Sequence, residues 1–483
     1  MPCPALLALW MGSAHADPLT LDQAVGEAVA HNPDLLRAEL MLAQAEEGRR
    51  LAASAYLPQE RLRADASHAE SAGFLAGLPY GTVANSQSVS GGVAGRAPTG
   101  TTWSLEAGVT HVDTLTHLDA SGLGLVFPTE EEPLVQDWWT MSGTVGVRQD
   151  LLAPLRRSPE RQAQLQALEA LDQASSGREA TALVAGHTAA SLWWDWWLAT
   201  ERVEVARTSQ ARTERLLERT SAWADEGVVS ETERQEVAFA AHQADAEVER
   251  ATVLADAARD RLLVWLGRSP GQDVQPTGEG ALEWTEPMLE EALAGSPEVA
   301  LAELRVQAAE RARRDRSRDR LPTLDATASV GGASLQEDAG GAWEALFDED
   351  VLPTAAVGIE LSGPLGRGPA RARQSQAALE ASSARLELES TRRDVEQAWL
   401  GGSAGLVTAR TSVDLAREGL AVAERKLELA SARVDEHVDP VDAALDAEDE
   451  VHLAELQLLD ARVQVERQAQ ALAMLAGRPP EVR

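Results

Sequence analysis

A single cysteine, Cys3, is all that 483 residues contain, so no disulfide framework holds this chain. Aromatic residues make up 4%, and 43 basic residues face 77 acidic ones, for a formal charge of −34. That balance argues against a nucleic-acid partner, because phosphate binding needs a basic face. No stretch reaches the roughly 18 consecutive apolar residues of a membrane helix. If the chain spans a bilayer, it must do so with strands.

What is there favours long helices, since Ala, Leu, Glu and Arg dominate. The start, MPCPALLALWMGSAHADPLT, has an apolar run and then Ala14-His15-Ala16. Residues 1–16 therefore read as a signal peptide whose removal releases a chain beginning at Asp17. No Lys or Arg precedes Ala5, and Cys3 stands ahead of the apolar run, off the place of a lipid-anchoring site.

The chain repeats itself. AHNPDLLRAEL at 30–40 aligns with AGSPEVALAEL at 294–304, and Pro58 with Pro322, at an offset of 264. LLAPLRRSPER at 151–161 aligns with LSGPLGRGPAR at 361–371, and WLGRSP at 265–270 with LAGRPP at 475–480, at an offset of 210. The first repeat, 17–277, thus carries 264 − 210 = 54 residues more than the second, 278–483, between Pro58 and Leu151.

Around that insertion the period changes to two. Residues 62–66, 103–109, 141–147, 324–331 and 355–361 alternate apolar with small or polar. Such strands fit either a wall between lipid and water or an ordinary half-buried sheet. GLPYGTVANSQSVSGGVAG and LDASGLGLVFPTEEEPLVQD read as long exposed loops. Within this region SVSGGVAGR and TTWSLEAGVTH flank APTG as a candidate further hairpin, inside or outside the main sheet.

Two proline-free runs, from Pro159 to Gly227 and from Pro369 to Glu436, predict rods of about 68 residues, ~100 Å each. Leu406, Ala409, Val413, Ala416, Leu420, Ala423, Leu427, Ala430 and Val434 step by three and four, a coiled-coil seam. Similar seams run from Ala241 to Trp265 and from Val451 to Leu475. At the turns, Ser230 and Glu233 form a capping box after Gly227, while Asp439 is positioned to cap and Pro440 to start the second return helix.

Order, duplication and spacing together resemble the TolC-like outer-membrane efflux family: LTLDQAVGEAVAHNPDLLRAE, the strand-to-rod phrase, the tip with Gly then Val, and LLVWLGRSP. The resemblance covers essentially all of the chain after residue 16. It implies a mixed α+β membrane protein, a homotrimer whose four strands per chain build a twelve-stranded β-barrel, continued by a periplasmic α-helical coiled-coil barrel. It implies an exit channel of a tripartite efflux or type I secretion system in the outer-membrane lipid of a Gram-negative cell. A periplasmic adaptor would dock on the helical tips, and an inner-membrane pump or ABC exporter would supply energy. The rival reading is a periplasmic coiled-coil scaffold without channel activity.

Carried over by the same resemblance, the docking tip of repeat one is Gly227, Val228, Val229 and Ser230, with Glu233 where the family often has Asp. In repeat two, His437 replaces the glycine, ahead of Asp439 and Pro440. The family narrows its periplasmic entrance with D-x-x-D-A; here Asp446-Ala447 matches the end, Ala443 takes the first Asp position, and Asp442 sits one residue earlier. A solvated acidic helix face is the plain alternative. Trp193, Trp194, Trp196 and Trp197 resemble the aromatic group that family members often carry at this point of the rod, which implies packing at the mid-barrel belt rather than lipid contact. His111, Asp113, His117 and Asp119 read as a polar surface stretch rather than a metal site. No catalytic constellation, phosphate-binding loop or cofactor motif is found.

Overall fold

A computed structural model describes residues 17–75, 78–118, 134–153, 158–277, 287–318, 321–345, 351–363 and 368–480. In chain order the first repeat gives β1 (Asp17–Leu19), α1 (Leu21–His31), α2 (Pro33–Ser54), β2 (Gln59–Leu75), β3 (Leu78–Arg96), β4 (Thr101–Leu118), β5 (Leu134–Asp150), α3 (Pro159–Asp225), α4 (Glu231–Trp265) and β6 (Val274–Pro276). The second gives α5 (Leu289–Gly295), α6 (Pro297–Arg318), β7 (Thr323–Gln336), α7 (Ala339–Ala345), β8 (Leu352–Ser362), α8 (Gly368–Asp435) and α9 (Asp442–Leu475). The expected leader, residues 154–157 and 364–367 of the strand-to-rod phrases and residues 119–133 of the second expected loop lie outside the described residues.

Proline marks equivalent starts in the two repeats. Pro33 and Pro297 open α2 and α6, each of 22 residues, at the first helical position, where the N–H that proline lacks would have no intrahelical partner. The rods α3 and α8 run 67 and 68 residues. The return helices α4 and α9 run 35 and 34. Ser230 caps α4 as expected, through a reciprocal box with Glu233. Asp439 does not cap α9: that helix starts after Val441 with no side-chain cap, and the Asp439 carboxylate instead meets Arg433 at 3.3 Å. A nearby guanidinium offers it a charge-assisted partner in place of the backbone N–H groups.

Contacts divide the chain into two compact units that do not coincide with the repeats. One comprises residues up to 44, 172–306 and 383–483; the other comprises 45–171 and 307–382.

The first unit is helical. The seam positions from Leu406 to Val434 are all buried or half-buried, so the three-and-four spacing does face inward. Its main core centres on Trp193, which no solvent reaches, packed with Leu19, Leu21, Leu262, Leu263 and Val463. The Trp193 Nε1–H donates to the Leu19 carbonyl at 3.1 Å, fixing β1, which pairs in parallel with β6. The tryptophans are thus packing residues, as expected. Among the described residues no helix is long and apolar enough to cross a membrane.

The second unit holds a six-stranded sheet in the order β2-β3-β4-β5-β7-β8, antiparallel throughout. Among the described residues of the chain the outer edges of β2 and β8 are unpaired. The candidate hairpin around APTG is present as β3–β4 and lies inside the sheet, between β2 and β5. Two expectations change with it. The four strands per chain that the resemblance implies become six among the described residues, so the twelve strands of a trimer do not follow. GLPYGTVANSQSVSGGVAG is not a loop, because residues 78–95 of it lie in β3. Its alternation is real but written in small residues: Ser86, Ser88 and Ser90 point to one side, Val89 and Val93 to the other.

Candidate functional site

Both tips of the helical unit are built by the same hydrogen bonds. At the end of α3 the Val228 N–H donates to the Trp223 carbonyl at 2.9 Å and the Gly227 N–H to Ala224 at 3.0 Å. At the end of α8 the Val438 N–H donates to Arg433 at 2.8 Å and the His437 N–H to Val434 at 3.0 Å. This is the Schellman closure, which requires a left-handed residue. Gly227 supplies it at φ +75°, and His437 at φ +55°. The departure at His437 therefore changes the residue but not the turn.

Val228 and Val438 stand exposed at the two ends. Beneath them Leu216, Val237, Val434, Val441 and Ala444 form one apolar cluster, so the tips share a base. Trp223 meets the His437 ring edge-on, with centroids 5.1 Å apart. No local pattern singles out Trp223, because its partner lies 214 positions along the chain. At the start of α4 the Ser230 N–H and hydroxyl donate to Glu233 Oε2 at 2.9 and 2.7 Å. Those two bonds hold the Glu233 carboxyl below the usual carboxylate range.

Asp442 and Asp446 are exposed, four residues apart on α9, and so lie on one face. The opposite face is buried: Glu448 accepts from Thr213 Oγ1 at 3.2 Å. Burial pushes the Glu448 carboxyl up, while Thr213 and the guanidiniums of Arg212, Arg215 and Arg219 oppose it. Nearby, Arg212 grips Glu455 with both terminal nitrogens at 3.1 and 3.0 Å. Arg202–Asp460 at 2.6 Å and Arg219–Asp435 at 2.9 Å add further ties between the repeats.

The sheet has two unlike faces. Register puts Leu62, Val89, Leu105, Val145, Val330 and Val357 among the residues of one face. Several are wide open, with Leu62 84% and Val357 87% exposed. The other face carries Ser90, Ser104, Thr144, Thr327 and Gly358, and a cluster in which Arg148 meets Asp325 at 2.6 Å and Glu360 at 3.7 Å. Aromatic rings bound the apolar band. Trp103 stands at one end; at the other Trp139 stacks on His111 at 4.4 Å. From Trp103 to His111 is eight residues, about 27 Å along a strand.

His111 also hydrogen-bonds Asp137 at 2.5 Å rather than gathering its sequence neighbours. Among the described residues no group of three or more His, Cys, Asp or Glu is placed to hold a metal; Asp119 lies outside them.

The outer membrane efflux protein family model matches residues 288–478. No curated protein matches the chain in sequence. Solved structures with a similar fold include the outer membrane protein VceC of Vibrio cholerae, at 15% identity and TM-score 0.67 over 95% of this chain and 97% of that one. The open state of the Neisseria gonorrhoeae MtrE outer membrane channel aligns at 18% and 0.68 over 95% and 89%. The Campylobacter jejuni CmeC outer membrane channel aligns at 13% and 0.65 over 95% and 85%. Residues 288–478 therefore match the outer membrane efflux protein family model, and the chain as a whole has the fold of these outer-membrane channels.

Proposed function

We propose that the protein is the outer-membrane exit channel of a tripartite efflux or type I secretion system in a Gram-negative cell. It acts as a homotrimer without a catalytic step of its own. The observation that carries this reading is the sheet with one exposed apolar face and one polar face, on a chain of the efflux fold. Lipid on one side and water on the other satisfies both faces, whereas a soluble scaffold would leave Leu62 and Val357 in water.

The helical unit supports assembly as well. Repeat one presents Arg212 and Arg219 to repeat two of the same chain. At the 210-residue offset the equivalents on α8 are Val422 and Leu429, 57% and 60% exposed. In a ring of alternating repeats that open face meets repeat one of the next chain.

A periplasmic adaptor docks on the tips around Gly227, Val228, Val229, Ser230 and Glu233, and around His437, Asp439 and Pro440. Asp442 and Asp446 line the periplasmic entrance, where three copies converge and attract cations. Gating is a shift of the tips toward an open state that a partner binds more tightly. Planar-bilayer recordings of the detergent-purified protein test this: a trimer with steady conductance is expected, and Asp446→Ala should weaken block by multivalent cations. A chain that stays monodisperse in plain buffer and opens no pore overturns it.

A further inference from the structure

The 54 extra residues of repeat one have a structural consequence that the family resemblance does not supply. They place the hairpin β3–β4 between β2 and β5, which would otherwise be neighbours. β3 pairs with β2 from Gln59–Ala94 to Leu75–Leu78, and β4 with β5 from Thr101–Gln149 to Thr116–Leu134. β2 and β5 do not pair with each other. The hairpin cannot leave the sheet without breaking two long ladders.

Its faces match those of its neighbours. Val89 and Leu105 fall on the apolar face and are 50% and 52% exposed, like Val145 at 52%. Gly95 lies so close across from Trp103 that a Cβ there would stand 2.5 Å from the indole, so the two hairpin strands pack tightly on that face. The turn between them, closed by the Gly100 N–H to the Ala97 carbonyl at 3.0 Å, is short, as turns on the periplasmic side of such barrels are. On the polar face the hairpin adds small residues: Ser86, Ser88, Ser90, Ser104 and Thr110. They add circumference without bulk to refill it.

Resting on the channel reading above, we propose that β3–β4 is part of the lipid-facing wall, and that three copies of six strands close an eighteen-stranded barrel. The β2 edge of one copy pairs with the β8 edge of the next. With an even number of strands per chain, β2 and β8 run in opposite directions, so the closing pairs are antiparallel like every other pair in the sheet. Because barrel diameter grows roughly linearly with strand number, the bore is about one and a half times that of a twelve-stranded barrel. Its lining is polar, with the hydroxyls of Ser88, Ser90 and Ser104 beside the charged Arg63, Asp65, Glu106 and Glu360 and with Arg148 held by Asp325.

The test uses full-length protein with Cys3→Ser, reconstituted in bilayers that contain a lipid-tethered quencher. Single cysteines at Val89, Leu105, Val145 and Val357 carry a fluorophore. Equal loss of fluorescence at all four sites is expected, with Ser88→Cys and Thr110→Cys unquenched and open to a water-soluble thiol reagent. Quenching at Val145 and Val357 but not at Val89 and Leu105 overturns the proposal and leaves the channel reading standing; no quenching at any site overturns both. Electron microscopy of the same unlabelled particles counts the strands. Eighteen in a threefold ring is expected. Twelve, whether from three copies with the hairpin outside or from two copies, overturns the proposal.

Discussion

At residue 227 the chain turns on a glycine, and 210 positions later it makes the same turn on a histidine. The two tips share backbone hydrogen bonds to within 0.1 Å, yet they are secured by different chemistry. Tip one relies on a residue with no Cβ and on the Ser230–Glu233 box. Tip two has a left-handed histidine, no side-chain cap on α9, and borrows support from repeat one through Trp223 and through Arg219 on Asp435. Duplication preserved the geometry, and divergence made one tip self-sufficient and the other dependent on it. Charge, by contrast, ties the repeats in both directions: Arg202, Arg212 and Arg219 of repeat one meet Asp460, Glu455 and Asp435 of repeat two, and Arg311 and Arg467 of repeat two meet Glu169 and Asp195 of repeat one.

The largest effect expected is on export. Gly227→Asp places a side chain at φ +75° and a charge on the proposed docking surface, and should abolish export while the trimer still forms. Full export by this variant would remove the docking role from tip one. Next in size is Arg212→Ala. Arg212 and Glu455 are mostly buried, at 16% and 19% side-chain exposure. Removing the cation strands Glu455 and strips Glu448 of a neighbour, so a loss of about 3 kcal/mol is expected in denaturant unfolding. The exposed pair Arg202–Asp460 should cost under about 1 kcal/mol when broken in the same way. Equal losses would mean that the ties between the repeats are interchangeable.

These differences also mark what the sequence makes legible. Helices are plain because alanine and leucine at steps of three and four leave no other period, and seam residues such as Ala409 and Val434 are indeed buried. Strands with unbroken alternation, such as Leu324 to Val330, are plain too. β3 is legible only in part: SVSGGVAGR stands out as one arm of the hairpin around APTG, while the rest of the strand reads as loop because Ser, Gly and Ala dominate it, although alternation requires only that Val89 and Val93 share one side. The strand count goes astray for a different reason: four per chain comes from resemblance, while the extra residues of this chain carry two strands more. Pairings such as Trp223 with His437 have no local signature, since they depend on how two distant helix ends meet.

A smaller effect separates the two tip residues themselves. Gly227→His should cost about 1 kcal/mol, because a Cβ is strained at that backbone angle. His437→Gly relieves a similar strain but forfeits the Trp223 contact, worth about 0.5–1 kcal/mol, so it should be nearly neutral. In Trp223→Ala background, where that ring is gone, His437→Gly should stabilise by about 1 kcal/mol. A thermodynamic cycle of the four proteins reads the difference, and an unchanged effect of His437→Gly in the two backgrounds would show that Trp223 does not hold the histidine.

The smallest effect is local and depends on pH. The Ser230 bonds lower the Glu233 carboxyl, so the stability this gives is present above the ordinary glutamate pKa of about 4.3 and is lost as pH falls through the depressed value. Amide exchange at residues 230–236, corrected for the intrinsic rate, should therefore accelerate below about pH 4. Ser230→Ala should cost α4 about 1 kcal/mol and remove most of that acid response. The start of α9 has no such cap, so residues 441–446 should show no matching acid step. If both starts loosen together in acid, the cause is a shared event in the apolar base beneath them, Leu216 against Val441, and the self-sufficiency of tip one is lost as an explanation.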